Sequence, residues 1–545
     1  MDSFECHSVQ SERLFPNSTP VEQVVPLSLI DATTSDFAST GAVWLFERPD
    51  KAPDFNLRGH LRQSLASTLN AYPQWTGLLN SISTLDAKPE DETPNFEPHA
   101  RRFGRVYAHF GTANDPGVEL ILAKSTASLE DICPASRTTE QPLLDCLKTP
   151  LDKLAPSTRL ANAQQPNTPD ASGVQSPVFA LQMTEFACGG FALAGRIAHP
   201  LADIQSFVHF IKDWAKLSRC ILSGPGKPTP LINPVFEPWR LDAKAAGDIN
   251  EKHADPAILE QVARLPLHRY DWWISAAECP WPVEVPGPFR DQENPAIGKP
   301  MPWSEWDINA PVSYYLIHLR REQVDSIWET ATKGSPEDAG AGRISRHDAI
   351  LAHIWTCITR ARNQQDDSAL VHCDLTYGTR PVLELGDSFI GSPTMMINIE
   401  MTGFEVASST IPEGKRQHAV AQGIRKTIGR MSQPAAVAAH IHSIAYEKSP
   451  QRIWQTFLGQ RHLLVTSWAR AGVYEVDFGL STSPVRYAES VMPNMDGLVV
   501  IKDAPPMSKP QGSGTQAWTE HGVDVSIHIR TEDMQRLIRD PLLLP

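Results

Sequence analysis

Residues 178–214 read VFALQMTEFACGGFALAGRIAHPLADIQSFVHFIKDW. Two apolar runs flank Gly189-Gly190, which is the pattern of two strands joined by a tight hairpin. The second run ends at His199. Pro200 keeps that histidine extended, because a proline ring disfavours helical backbone in the residue before it. From Ile204 the period changes, and Ile204, Phe207, Ile211, Trp214 and Leu217 recur at helical spacing. Asp203 then falls at the N-cap, where a carboxylate accepts from the free amides of the first turn. Strands and a helix in so short a span predict a mixed α/β or α+β architecture.

The same stretch holds two His-x-x-x-Asp pairs, His199/Asp203 and His209/Asp213. His209 and Asp213 fall four apart on the predicted helix, beside its apolar stripe. Such a pair contributes about 0.2–0.5 kcal/mol to a helix and needs no further role. His199 instead emerges where a strand turns into a helix, a rigid base from which active-site side chains project. Position alone leaves both a catalytic and a purely structural reading open for His199.

The chain has 545 residues, too many for one simple core and enough for two domains of ordinary size. Hydrophobic residues make up 41% and charged residues 21%, values of a soluble globular protein. A formal net charge of −14 argues against a nucleic-acid partner, which needs a basic face, but leaves room for a small anionic ligand in a local pocket. Eight cysteines without a C-x-x-C are expected as free thiols, not as a disulfide framework or a zinc site. The N-terminal residues show no basic region followed by an apolar run, and no apolar stretch reaches the ~20 residues that span a bilayer. The expectation is a cytoplasmic protein in which the sequon Asn17-Ser18-Thr19 stays unused.

Proline-rich polar stretches at 85–100 and 148–177 read as surface loops. Residues 221–311, with a helical patch around Ala257–Leu265, read as a long crossover between two halves. The predicted domains are 1–220, the crossover 221–311, and 312–545. In the first half, 41–49 reads as a strand, and Leu57, Leu61, Leu65 and Leu69 line one face of a helix. In the second, VSYYLIHL is a strand, REQVDSIWETAT and 345–362 are helices, and strands follow near 371–376, 395–401, 462–467 and 523–530.

Other motifs lead nowhere. Asp477-Phe478-Gly479 is also a kinase magnesium motif, but no glycine-rich loop, Val-Ala-Ile-Lys or His-Arg-Asp accompanies it. No phosphate-binding P-loop and no Gly-x-Ser-x-Gly elbow is present. His440 and His442 would face one way on a strand and could share a metal, but no third ligand stands with them, so no metal is expected. The basic amphipathic helix predicted over 414–430 is read as a solvated face, with contact to a coenzyme A phosphate as the alternative.

"HPLAD" after a strand, with "DFG" some 280 residues later, resembles the BAHD acyltransferases, which move acyl groups from coenzyme A thioesters. The likeness continues in order along the chain. Tyr72, Pro73 and Gly77 match a Tyr-Pro-x-x-x-Gly run, ISRHDAILAHIW (344–355) a helix opening the second domain, and DLTYGTRPVLELGDSFIGS (374–392) a segment with an arginine and a later glycine. VTSWARAGVYEVDFG (465–479) is similar to the family's strand and turn before DFG. Plant members continue Asp-Phe-Gly-Trp-Gly, whereas Leu480 and Ser481 follow here, so the resemblance leans to fungal members such as the trichothecene acetyltransferases. Condensation domains share the fold but carry His-His-x-x-x-Asp-Gly, and Ala198 and Ile204 occupy those flanking positions here.

The resemblance implies two chloramphenicol-acetyltransferase-like domains with the active site in a channel between them. It implies a monomeric O-acyltransferase that uses acyl-coenzyme A, acetyl-coenzyme A in the fungal branch, as co-substrate and a small-molecule alcohol as acceptor. His199 would be the general base in a direct transfer. Asp203 would pair with Arg380 and hold the loop, Thr466 and Trp468 would lie near the reacting carbonyl, and Asp477 and Gly479 would shape a supporting turn. The alternatives are a carrier-protein-dependent condensation enzyme and a silent family member that binds without turnover.

Overall fold

A computed structural model describes residues 4–52, 54–85, 95–149, 151–163, 175–224, 232–281, 284–333, 343–506 and 517–545. Much of the two stretches read as proline-rich loops lies outside the described residues.

The predicted hairpin forms antiparallel strands Phe179–Glu185 and Phe191–Ile197. Gly189 takes the turn with φ +84°, a conformation that a side chain disfavours. These strands lie in a six-stranded sheet that runs, from one edge, Cys6–Leu14, Val118–Ser125, Phe179–Glu185, Phe191–Ile197, Thr40–Phe46 and Tyr487–Ser490. The helix Ile204–Leu222 packs on it through Phe207, Phe210, Ile211 and Trp214, all fully buried. The helix Leu57–Leu69 packs against that one with Leu61, Leu65 and Leu69 inward.

The second half builds a seven-stranded mixed sheet in the order Thr394–Thr402, Leu370–Gly378, His462–Ser467, Leu498–Asp503, Val523–Arg530, Val312–Leu319 and Leu143–Asp145. His462–Ser467 runs parallel to both of its neighbours, and the remaining pairs are antiparallel. Helices Arg321–Thr332, Arg346–Ala361 and Glu413–Met431 cover it around a core that includes Ile350, Leu351, Trp355 and Ile424. Ser345 and Asp348 form a reciprocal cap on the second of these.

The two halves are interleaved rather than laid end to end. Tyr487–Ser490 from the second half completes the first sheet beside Thr40–Phe46, and Leu143–Asp145 from the first half completes the second beside Val312–Leu319. Leu29 and Ile30, near the N-terminus, sit in the second core. Covering an edge strand in this way removes unpaired backbone groups from the rim of each sheet. Boundaries at 220 and 311 therefore follow the chain but not the packing.

The helical patch in the crossover is Pro256–Val262, and Trp239–Asp242 forms a further short turn of helix. His440 and His442 lie on a helix, Pro434–Ala445, not on a strand. His442 faces the Ala246 carbonyl at 2.7 Å through Nδ1 and accepts from the Asp255 amide at 3.0 Å through Nε2, so both of its nitrogens are committed to protein. The basic helix is only partly a solvated face. Arg416 is buried and donates to the Ser408 carbonyl at 2.8 Å, while Arg425 reaches Asp348 at 2.7 Å and Ser345 at 2.9 Å. No helix is long and apolar enough to cross a membrane among the described residues.

Candidate active site

His199 leaves the strand Phe191–Ile197 and opens a single 3₁₀ turn, His199–Leu201, so it is not extended as expected; Pro200 is accommodated in the first turn, where its missing N–H costs no hydrogen bond. Its Nδ1 lies 2.9 Å from the Ser392 hydroxyl, and among the described residues Nε2 has no hydrogen-bond partner. Burial lowers the imidazole pKa, against the opposing charge of Asp203. The ring is half-buried, with the edge of Phe37 at 5.6 Å between centroids.

Ser392 comes from the second half and is itself held. Its amide donates to Asp31 at 2.6 Å, and Asp31 closes a reciprocal cap with Ser28. Burial raises the Asp31 carboxyl to about 7, partly offset by the Ser28 and Ser392 hydrogen bonds. Neither Ser392 nor Asp31 stands out in the sequence. Ser392 is merely the last residue of the 374–392 segment, and Asp31 belongs to a five-residue helix, Leu29–Thr33.

Asp203 points away from the imidazole. It caps the helix Ile204–Leu222 by accepting from the Ser206 amide at 2.9 Å, and Arg380 forks onto both of its oxygens, Nη2 reaching Oδ1 at 2.9 Å. Arg380 also donates to Ser206 Oγ at 2.7 Å. Asp203 and Arg380 are 5% and 4% exposed, so a buried charge meets a buried charge with its remaining hydrogen bonds filled. Gly391 completes the clasp. Its carbonyl accepts from the Asp203 amide at 3.0 Å and from Ser206 Oγ at 2.8 Å. A Cβ there would meet the Asp31 carboxylate at 3.2 Å, which explains glycine before Ser392.

Thr466 lies near the end of His462–Ser467, half-buried, and its hydroxyl makes no hydrogen bond to described residues. Trp468 is buried in the apolar core of the first half, and its amide donates to the Ile501 carbonyl at 2.8 Å. Asp477 accepts from the Gly479 amide at 2.9 Å, and its backbone carbonyl accepts from Arg219. Gly479 turns at φ +72° over Arg219, while Phe478 packs edge-on against Trp214 at 5.1 Å. This turn thus docks on the same helix that Asp203 caps, near its far end. His209 is 3.5 Å from Asp213, whose carboxylate accepts from the buried Tyr72 hydroxyl at 2.8 Å. The second pair belongs to core packing.

Beyond Phe37 a series of rings leads away from His199. Trp454 lies 5.7 Å from Phe37, and Trp272 stacks on Trp454 at 5.0 Å. Phe37, Trp454 and Trp272 are each only partly buried. An unencumbered imidazole nitrogen beside apolar rings, at a junction clasped from both halves, suits proton removal from a bound nucleophile.

The chain is similar to known proteins along most of its length. A family model described as the Transferase family matches residues 113–267 and 295–541. Acyltransferase AFT15-1 of Alternaria alternata is 27% identical over 96% of this chain and 95% of its own. Acyltransferase abl6 of Leptosphaeria maculans is 24% identical over 98% and 97%. Among solved structures, F. sporotrichioides TRI101 complexed with coenzyme A and T-2 superposes with a TM-score of 0.62 at 17% identity, covering 96% of this chain and 98% of that one. The chain belongs to the Transferase family and is an acyltransferase of the BAHD type, with the family's two-domain mixed α/β fold.

Proposed function

We propose that this protein transfers an acetyl group from acetyl-coenzyme A to a hydroxyl of a small fungal secondary metabolite, with His199 as general base. The observation that carries the reading is the state of the imidazole. Its Nδ1 is taken by Ser392, and its Nε2 is left for substrate. A neutral imidazole carries one N–H, and placing it on Nδ1, toward the Ser392 oxygen, leaves the Nε2 lone pair free. Lowered by burial, the group is the free base at neutral pH.

In the reaction, Nε2 takes the hydroxyl proton as the oxygen attacks the thioester carbonyl. The tetrahedral oxyanion collapses, the carbon–sulfur bond breaks, and the thiolate receives the proton from Nε2. General-base assistance of this kind contributes about 10²–10⁴ in rate. Asp203 takes no proton in this scheme. With Arg380 it holds the loop that aims His199. Thr466, whose hydroxyl has no hydrogen-bond partner among the described residues, is the proposed oxyanion donor, worth about 10²–10³ in rate where such a donor acts. Trp468, buried in the first core and tied by its amide to the Ile501 carbonyl, supports the strand end, and Asp477 with Gly479 supports the capped helix from its other end. The Phe37, Trp454 and Trp272 rings favour an acceptor with a flat apolar body. We place the enzyme in the cytoplasm as a monomer.

The test is the thermal unfolding midpoint with coenzyme A and with acetyl, malonyl and longer acyl thioesters, followed by thiol release on adding alcohols. The reading expects a saturable rise of several degrees, largest with acetyl-coenzyme A. No shift with any thioester would reject coenzyme A as the carrier and favour a protein-bound acyl donor.

A further inference from the structure

We propose that His268, Asp374 and His462 bind one transition-metal dication of the zinc class, fastening the crossover to the second sheet. The proposal is independent of the acyl-transfer reading, because none of these residues takes part in the site at His199.

The three come together for a reason of topology. Asp374 lies on Leu370–Gly378, and His462 opens the parallel neighbour His462–Ser467. His372, two residues before Asp374 and so on the same face, pairs in register with His462. His268 arrives from the crossover, just past the point where the Pro266 carbonyl accepts from the Asn398 amide at 2.8 Å and ties that segment to the sheet. The result is a carboxylate among imidazoles. The His268, His372 and His462 rings have centroids 4.5–5.5 Å apart.

Their polar atoms face one another without closing well-aligned hydrogen bonds. Asp374 is fully buried, and its Oδ2 accepts from the Thr456 hydroxyl and the Phe457 amide, each at 3.1 Å. That leaves Oδ1 turned toward His268. His268 Nε2 lies 3.1 Å from it and His462 Nδ1 lies 3.7 Å from Oδ2, ion-pair contacts that, among the described residues, are not aligned as hydrogen bonds. His268 and His462 are 9% and 1% exposed. One ligand atom from each residue can be chosen so that all lie within 4.8 Å of one another. Ligands ~2.1 Å from a tetrahedral zinc sit roughly 3.4 Å apart, so small side-chain movements close the set.

The surroundings are those of a ligand set. His462 turns its other nitrogen to Glu305 at 3.3 Å, the carboxylate-to-histidine support that orients a metal-binding imidazole. The Asp374 carboxylate is anchored through Oδ2, which leaves Oδ1 toward His268. Two histidines and one carboxylate suit a borderline cation, whereas calcium and magnesium favour oxygen ligands. Held at a strand start and in the crossover, the ion would act as a staple rather than as a reagent.

The test uses the full chain, stripped with a chelator and titrated with Co²⁺ alone. Four- or five-coordinate Co²⁺ should give visible absorption that saturates at one equivalent per chain and is displaced by Zn²⁺. Zn²⁺ should raise the melting midpoint of the wild type by several degrees. His268→Gln and Asp374→Asn should lose the absorption, while His440→Gln, altering a buried histidine elsewhere, should keep it. A wild-type titration with no saturable absorption overturns the proposal, even if both variants fail to fold. Absorption that persists in a folded His268→Gln protein overturns it equally.

Discussion

Ser392 Oγ lies 2.9 Å from Nδ1 of His199, and the two residues come from opposite halves of the chain. The histidine arrives on a strand end of the first sheet, while the serine follows Gly391 in the second half. Between them, Arg380, Ser206 and the Gly391 carbonyl form a buried clasp on the Asp203 loop. The imidazole is thus oriented by the junction itself. Any relative displacement of the halves would move the imidazole.

His199→Ala should lower kcat by about 10²–10⁴ with an unchanged melting midpoint, since the half-buried ring caps nothing and fills no core. His209→Ala should keep most activity and lose some stability through Asp213 and Tyr72. The pair of variants, assayed by thiol release and thermal melting, discriminates the two His-x-x-x-Asp pairs. A His209→Ala enzyme as inactive as His199→Ala would mean the wrong pair carries the chemistry.

Ser392→Ala removes the Nδ1 partner but leaves the amide that binds Asp31. One orienting hydrogen bond of about 1–1.5 kcal/mol corresponds to a loss of roughly five- to tenfold in kcat. KM should change little, because Ser392 is fully buried beneath the imidazole. A variant with wild-type kcat would show that Ser392 does not set the ring's orientation.

Asp203→Ala and Arg380→Ala each strand a buried charge, and breaking such a pair costs about 3–5 kcal/mol. Both single variants should melt well below the wild type and lose activity with it. The double variant should be less destabilised than the sum, since neither charge is left alone. An Asp203→Ala protein of normal stability and no activity would refute the positioning role and make the carboxylate part of the chemistry.

The hairpin, the capped helix and the strong helix Arg346–Ala361 were legible because each carries its own period and its own punctuation: Gly189-Gly190, Asp203, and Ser345 with Asp348. The strand Cys6–Leu14 was not. It is an edge strand with only Leu14 buried, so it shows no apolar alternation. The exchanged strands Tyr487–Ser490 and Leu143–Asp145 are four and three residues long, and nothing local says which sheet they join. At the site, motif spacing reached His199 and Asp203, and resemblance reached Arg380. Ser392 and Asp31 act through single long-range hydrogen bonds that no sequence period records. His440 and His442 drew attention because they are adjacent, whereas His268, Asp374 and His462 are far apart along the chain and meet only in the sheet.

Stability should fall as the pH is taken from 7 to 5. Burial lowers His60, His199, His209, His347, His353, His440 and His528, with His440 brought to about 3 and His528 to about 4. For each, the unfolded chain takes up a proton below about 6.5 while the folded one does not, so stability is lost as the pH falls. Burial raises Asp31, Asp36, Glu447 and Asp503, which act in the opposite direction between about 4 and 7. The histidines outnumber them, and each unmatched group removes up to about 1.4 kcal/mol per pH unit. Urea midpoints measured in chelator at pH 7, 6 and 5 should therefore decrease. A flat or rising series would mean that the carboxyl groups dominate.

The pH dependence of kcat/KM reports the base of the free enzyme. Burial lowers His199, and the nearby Asp203 charge opposes it without reversing the direction. With His199 as the proposed general base, activity needs the neutral ring, so kcat/KM should rise with pH, reach half its plateau below pH 6.5, and stay level through neutrality. Arg380→Lys gives a second arm. Lysine keeps the charge but not the fork, which loosens the hold on Asp203 and lets water reach the imidazole. Its acid limb should move upward, toward the ordinary histidine value, while a packing defect alone would lower the plateau and leave the limb in place. A wild-type limb centred above 6.5 would show that the Asp203 charge outweighs desolvation, and that the carboxylate faces the ring during turnover.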